Sequence, residues 1–298
     1  MVTTREHIPV GKGKDGTLRI RRLPYERLLR RIGEVAEEEG IEVFLVGGAV
    51  RDALLGRKTQ DLDFVTLGTG SGLRLAQALL SVLRARKVHV YPSFGTAAIR
   101  VPPRGRRKEP LILEFVGARK ESYRRDSRKP IVEEGTLEDD LARRDFTINA
   151  MAVALNPDRF GELIDPFGGL EDIRKGILRT PLDPYKTFDD DPLRMLRAAR
   201  FAAQLDFDVH PEALAAMKAR ASRINIVSQE RITDELQKMI CAPHPSKGFR
   251  ILHETGLLRY ILPELDALAG VETVAGYRHK DNFYHTLQVL DNIVSLTR

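Results

Sequence analysis

Residues 44–66 read FLVGGAVRDALLGRKTQDLDFVT. A short apolar run stops at Gly47–Gly48, a helical stretch follows to Gly56, and a second apolar run carries Asp61 and Asp63 one residue apart. Glycine and charge are both unfavourable in a buried sheet, so their presence here calls for a chemical reason. In a strand, residues i and i+2 point to one side. Asp61 and Asp63 therefore project together while Leu62 and Phe64 face a core. Two neighbouring carboxylates repel unless a cation lies between them. Mg²⁺, a hard cation that keeps several waters and shares phosphate ligands, suits such a pair. Backbone amides at a glycine turn and a helix N-terminus make a phosphate cradle, and glycine lets a triphosphate approach the main chain. The glycines match neither the G-x-G-x-x-G fingerprint nor a Walker loop. Cradle and D-x-D together predict a site for a nucleoside triphosphate and Mg²⁺.

Outward from this stretch, the chain separates into two textures. Before it, residues 1–23 read as a polar arm, and PYERLLRRIGEVAEEEG has apolar positions at helical spacing up to Gly40. After it come an amphipathic helix, GLRLAQALLSVLRAR, and three strand candidates, KVHVY, TAAIRV and LILEFVG. The last places Glu114 on a strand, and three acids on adjacent strands suit a two-metal arrangement. From about Asp165 onward nearly everything reads as helix, separated by proline and glycine. The expected fold is α+β: a head, residues 24–170, with a mixed β-sheet, then an all-α neck and body, residues 171–265.

The 298 residues are enough for about two domains and a sizeable core. Cys241, the single cysteine, cannot form an internal disulfide and reads as a small buried hydrophobe. No apolar run approaches the length of a membrane span, and the N-terminus lacks the apolar core of a signal peptide, so a cytoplasmic location is expected. The formal net charge is +6, and residues 100–130 alone carry eleven Lys/Arg against four Asp/Glu. A local basic stripe fits a polyanion such as RNA, and equally a solvated loop.

The ordered stretch LVGGAVRDALLGRKTQDLDF resembles the first motif of the class II tRNA nucleotidyltransferases, which include bacterial CCA-adding enzymes and poly(A) polymerases and belong to the polymerase-β-like nucleotidyltransferase superfamily. The resemblance implies a nucleotidyltransferase head with catalytic Asp61, Asp63 and Glu114, metal held by Asp61 and Asp63, and nucleotide contacts at Gly47, Gly48 and Arg51. RRDFTINAMA is similar to the family's second motif, which implies triphosphate and sugar contacts from Arg144 and Asn149, with Asp145 close by. Its plain alternative is a capped helix start. DPFGGLEDI resembles the hinge between head and neck.

DDPLRMLRAARFAAQL resembles the family's E-D-x-x-R motif, with Asp190 in place of the usual Glu. Read as one helix, it places Asp191 and Arg194 on one face. A carboxylate only accepts and a guanidinium only donates hydrogen bonds. Asp191 would accept from the amino group of cytosine or adenine while Arg194 donates to the ring nitrogen. Uracil and guanine present the reverse order and leave buried groups unpaired. The plain alternative is a helical salt bridge worth under about 1 kcal/mol. Arg197 and Arg200 continue the spacing, either lining the nucleotide and RNA channel or facing solvent.

The resemblance implies tRNA, at its acceptor stem and 3′ end, as partner, with CTP and ATP as substrates and CCA as the product. RNA contacts are expected at Arg104, Arg106, Arg107, Lys108, Arg124 and Arg125. In the family resembled, CC-adding members have the region between Gly117 and Arg143 shortened, so the long charged loop here implies, by that resemblance, an enzyme able to add A. A-only addition and poly(A) synthesis are the related alternatives, and an RNA-binding module, a phosphohydrolase and a small-molecule nucleotidyltransferase the unrelated ones. The tail HKDNFYHTLQVLDNIV is similar to the opening helix of an HD-type phosphohydrolase domain, so residues 266–298 are read as the start of a truncated HD-like domain. Oligomeric state is not legible.

Overall fold

A computed structural model describes residues 8–59, 61–91, 95–103, 109–122, 131–270, 273–274, 277–278 and 281–297. The chain divides into two compact units, and the second begins at Lys175.

In the first unit, residues read as an arm form a hairpin, β1 (Val10–Lys12) and β2 (Leu18–Ile20), bridged to the head through Arg19 and Glu162. Helix α1 (Glu26–Glu38) precedes β3 (Val43–Val46), α2 (Gly48–Leu54), β4 (Asp61–Thr66) and α3 (Ser71–Leu83). Then follow β5 (Val88–Tyr91), β6 (Thr96–Val101), β7 (Leu111–Gly117), β8 (Arg119–Ser122), β9 (Ile131–Glu134) and α4 (Leu137–Ala142). The unit closes with β10 (Ala152–Ala154), β11 (Leu163–Ile164) and α5 (Gly169–Lys175). Seven strands form one mixed sheet in the order β11-β10-β3-β4-β7-β6-β5, in which β4 and β7 run parallel.

The two faces of this sheet differ. Leu62 and Phe64 of β4, Leu113 and Phe115 of β7 and Ala97 and Ile99 of β6 are all buried on one face. Phe64 and Phe115, register partners, stack at 4.7 Å. Helix α3 packs on β6 and β7, and Gly72 lets it come close, since a β-carbon there would stand 3.2 Å from the Phe115 carbonyl. Among the described residues the opposite face is closed on one side, where Phe44, Val46, Val65, Ala152 and Ala154 form a core with Leu141 of α4. Helix α4 begins with a capping box between Thr136 and Asp139. Asp61, Asp63 and Glu114 lie where that cover ends.

The second unit holds α6 (Pro184–Asp190), α7 (Leu193–Leu205), α8 (Pro211–Arg220), α9 (Gln229–Ile240), α10 (Pro245–Glu254), α11 (Leu258–Ile261), α12 (Pro263–Asp266) and α13 (Asn282–Thr297). It also contains a parallel pair, β12 (Ile177–Leu178) with β13 (Asp208–Val209), and an antiparallel pair, β14 (Thr273–Val274) with β15 (Tyr277–Arg278), so the body is helical with minor strand pairing. Helix α7 is the central element, with Met195, Leu196, Ala198, Ala199, Ala202 and Ala203 fully buried. Gly248 brings α10 against it: a β-carbon there would stand 3.0 Å from the Ala199 carbonyl. Helix α13 packs on α10 with Phe283 and Leu287 buried, and the Phe283 ring meets His253. Cys241 corrects the reading of a buried thiol: it is exposed, because it falls at the C-cap of α9, past the packed face. Among the described residues no helix is long and apolar enough to cross a membrane.

Candidate active site

Gly47 ends β3 at φ 69° and ψ −136°, a backbone conformation that L side chains rarely adopt. A β-carbon at Gly47 would stand 2.8 Å from Arg144 Nη1 and 3.7 Å from Asp63 Oδ2. The glycine main chain is thus flanked by a guanidinium and a carboxylate from two other segments. Gly48 opens α2, and the space beside it is bordered by the Arg51 guanidinium.

Register places Asp63 opposite Glu114, and Asp61 opposite Ile112, in the parallel β4–β7 pair. All four side chains share one sheet face. Burial pushes the Asp63 carboxyl above the usual carboxylate range; Arg144 opposes this, and Asp61 adds to it. Burial likewise pushes Glu114 up, reinforced by Asp63 and Asp61. Carboxylates whose negative charge pushes up Asp63 and Glu114 suit a hard cation, which would reverse the sign of that repulsion. Among the described residues no three such side chains are drawn close enough to hold a metal by themselves. A pair of carboxylates still suits Mg²⁺, whose other ligands are ordinarily water and phosphate oxygens.

The segment expected as a second motif is not a helix start. Thr147–Asn149 make a single 3₁₀ turn, after which the chain enters β10, because β3 offers an edge on which Ala152–Ala154 pair. Asp145 does cap locally: its Oδ1 accepts from the Phe146 amide at 2.8 Å and from Asn149 Nδ2 at 3.0 Å. Asn149 Oδ1 in turn accepts from Arg51 Nη1 at 2.9 Å, and Arg51 Nε donates to Asp52 at 2.9 Å. Arg51, Asp145 and Asn149 are therefore brought together as a buried relay that ties α2 to the 3₁₀ turn.

Arg144 is held differently. Its Nε and Nη2 donate to Asp140 Oδ2 at 3.2 and 2.8 Å, leaving Nη1 beside Gly47. Arg143 grips the other oxygen of Asp140 at 3.1 and 2.5 Å. Burial opposes ionisation of Asp140, but Arg144 and Arg143 outweigh it and hold the carboxyl below its usual range. Sequence reading missed Asp140. The signal was its spacing of three and four residues from two arginines on a short helix.

In the body, Asp191 is not on a helix with Arg194, which corrects the single-helix reading of 190–205. Pro192 disfavours helical geometry in the residue before it, so Asp191 is extended, at φ −140°, between α6 and α7. Its carboxylate caps the Leu193 amide at 3.2 Å and pairs with Arg231 of α9 at 2.9 Å. Arg194 follows on the first turn of α7, its amide bonded to the Asp191 carbonyl at 3.0 Å. Arg200 does not face solvent: at 8% exposure it donates to Glu235 of α9 at 2.5 Å and to Gln204 at 2.7 Å. Arg197, half-buried, reaches the same Glu235 at 3.5 Å. Arg231 and Glu235, which sequence reading did not single out, tie Asp191 and α7 to α9. Arg104, Arg106, Arg107, Lys108, Arg124 and Arg125 lie outside the described residues.

A glycine turn, paired strand carboxylates and a mixed sheet are the features on which the chain's family can be judged. The family described as "Poly A polymerase head domain" matches residues 43–179, and the family "Probable RNA and SrmB- binding site of polymerase A" matches residues 206–268. A "Multifunctional CCA protein" of Nitrosococcus oceani is 40% identical over 254 residues, 84% of this chain and 58% of that protein. An "A-adding tRNA nucleotidyltransferase" of Halalkalibacterium halodurans is 36% identical over 240 residues, 79% of this chain and 54% of that protein. The solved structure "The structure of CCA-adding enzyme apo form II" aligns with TM-score 0.70 and 33% identity, over 82% of this chain and 57% of that one. The chain belongs to the class II tRNA nucleotidyltransferase and poly(A) polymerase family. It spans less than three fifths of the length of these relatives.

Proposed function

We propose that this protein is a cytoplasmic enzyme that adds CCA to tRNA 3′ ends from CTP and ATP, without a nucleic-acid template. The observation that carries the reading is the shared sheet face of Asp61, Asp63 and Glu114 beside the Gly47 turn. The similarity to "Multifunctional CCA protein" of several bacteria supports the choice of product. Neighbouring structures described as complexes with tRNA, ATP and CTP support the choice of substrates.

The amides of Gly47 and Gly48 and the Nη1 of Arg144 bind the triphosphate, and Asp140 fixes Arg144 for that task. Arg51, Asn149 and Asp145 keep the glycine turn and the second motif in register, with sugar contact from Asn149. Mg²⁺, held by Asp61 and Asp63, would neutralise the triphosphate and lower the pKa of the attacking hydroxyl, in the two-ion manner of nucleotidyl transfer. The RNA 3′-oxygen forms a bond to the α-phosphorus, the bond to pyrophosphate breaks, and the hydroxyl proton leaves to solvent. Glu114, its carboxyl pushed up by burial, Asp63 and Asp61, borders the place where that hydroxyl must approach. Asp191 accepts from the exocyclic amine of C or A, and Arg194 donates to the ring nitrogen. Asp191 must leave Arg231 to do so. Arg200 acts through Glu235 as a positioning residue for α7, and Arg197 shares that anchor. Arg104, Arg106, Arg107, Lys108, Arg124 and Arg125 contact tRNA phosphates.

The test is to incubate a transcribed tRNA lacking CCA with protein, Mg²⁺ and each triphosphate, singly and mixed, and to size products at one-nucleotide resolution. A tRNA ending in CCA, formed only when CTP and ATP are both present, is expected. Extension only of tRNA already ending in CC would replace the reading by A-only addition, and a long A ladder by poly(A) synthesis.

A further inference from the structure

Strand register carries the acidic face well beyond the acids themselves. Asp63 is opposite Glu114, Glu114 opposite Ala98, and Ala98 opposite His89 of the edge strand β5. One row to one side, Asp61 is opposite Ile112 and Ile112 opposite Arg100. One row to the other, Val116 is opposite Thr96 and Thr96 opposite Tyr91. Directly paired residues share a face, so Arg100, His89 and Tyr91 look out from the same side of the sheet as Asp61, Asp63 and Glu114.

This part of the face lies beyond the core contributed by α4. Ile112 is 38% and Tyr91 49% exposed, and Glu114, Arg100 and His89 are exposed as well. Among the described residues, the side chains of Arg100, His89 and Tyr91 take part in no hydrogen bond or ion pair with protein. A sheet face that presents an aromatic ring, an apolar side chain, an arginine and an imidazole, without partners among the described residues, is suited to single-stranded RNA. Such faces stack bases on the ring and donate hydrogen bonds to phosphate. Arg100 also opens the segment 100–130, which carries the chain's excess positive charge.

We propose that Arg100, His89 and Tyr91 seat the 3′-terminal nucleotides of the RNA that is extended. The inference rests on the nucleotidyl-transfer reading of the acids. From β7 to β5 is two strand spacings, about 10 Å, room for one or two nucleotides. The terminal base stacks on Tyr91 with Ile112 along the floor, and Arg100 and His89 donate to the last phosphates. The terminal hydroxyl then points along the rows toward Glu114, from the side opposite the Gly47 cradle.

The experiment is photocrosslinking of the intact protein, without nucleotide, to a tRNA transcript ending in CC whose last residue is 5-iodocytidine, with the adduct mapped by mass spectrometry. An adduct at Tyr91 or His89 is expected. In parallel, Tyr91→Ala and Arg100→Gln should raise KM for the RNA about tenfold and leave KM for CTP and ATP unchanged. Adducts that map only elsewhere, or no adduct at all, would overturn the seat, as would a rise in KM for the triphosphates instead of the RNA. The crosslink needs no chemistry. An adduct at Tyr91 in a protein that extends no RNA would retain the seat and remove the transferase reading.

Discussion

Gly47 is the residue at which backbone geometry and chemistry are hardest to separate. Its positive φ, and the 2.8 Å that a β-carbon would leave to Arg144 Nη1, mean that Gly47→Ala strains the turn and displaces the guanidinium together. We expect Gly47→Ala to raise KM for both triphosphates at least tenfold, checked by steady-state incorporation, with tRNA affinity within about twofold of the parent. Asp63 gives a second test. Burial, opposed by Arg144 and aided by Asp61, pushes its carboxyl up, so the folded state holds this proton to higher pH than the unfolded state does. Ionised Asp63 therefore costs stability in the metal-free protein once pH rises above the unfolded value, and the cost is complete above the raised folded value. Asp63→Asn removes that cost, and its melting temperature at neutral pH should exceed the parent's in chelator. Incorporation by the parent should fall at acid pH, where a proton competes with the cation for the Asp63 carboxylate, and should recover as Mg²⁺ is raised. The acids were legible in the sequence because a strand's period of two needs no tertiary information. Asp140 was not, because its role depends on complete burial between Arg143 and Arg144.

Elements show the same division between what pattern reveals and what packing decides. Five of the seven sheet strands, β3 to β7, sit where alternation and β-branched content place them, and α2, α3 and α9 where helical spacing does; β10 and β11 are too short to carry a period and are fixed by pairing beside β3. Pattern failed at Asp191 and Arg200. The break at Asp191–Pro192 was in the sequence, since a residue before proline avoids helical geometry, but a run of apolar spacing outweighed it. The partners Glu235 and Arg231 are 35 and 40 residues away from Arg200 and Asp191, a separation no spacing rule bridges. Glu235, 3% exposed, pairs with both Arg200 and Arg197. Removing one partner of a buried pair typically costs about 3–5 kcal/mol. Glu235→Ala is expected to destabilise the protein by roughly that much in urea unfolding, with the loss appearing in the midpoint. An unchanged midpoint would mean that α7 is held by apolar packing alone.

At the scale of the whole molecule, the fold was legible because the change from strand pattern to helix pattern coincides with a change of compact unit near residue 174. Charge is also a property of the whole chain: a net charge of +6, concentrated in residues 100–130, predicts tRNA binding dominated by phosphate contacts. Affinity measured by filter binding should fall at least tenfold between about 50 and 200 mM salt. A flat salt profile would remove the basic segment from the interface. The central claim, that the sheet face bearing Asp61, Asp63 and Glu114 performs nucleotidyl transfer, is tested most directly by single-turnover incorporation of CTP and ATP into a tRNA lacking CCA. The parent and Asp63→Asn would be compared, with tRNA binding measured on the same samples. The account predicts extension by the parent and none by Asp63→Asn, at equal tRNA affinity. Extension by Asp63→Asn at the parent's rate would contradict it.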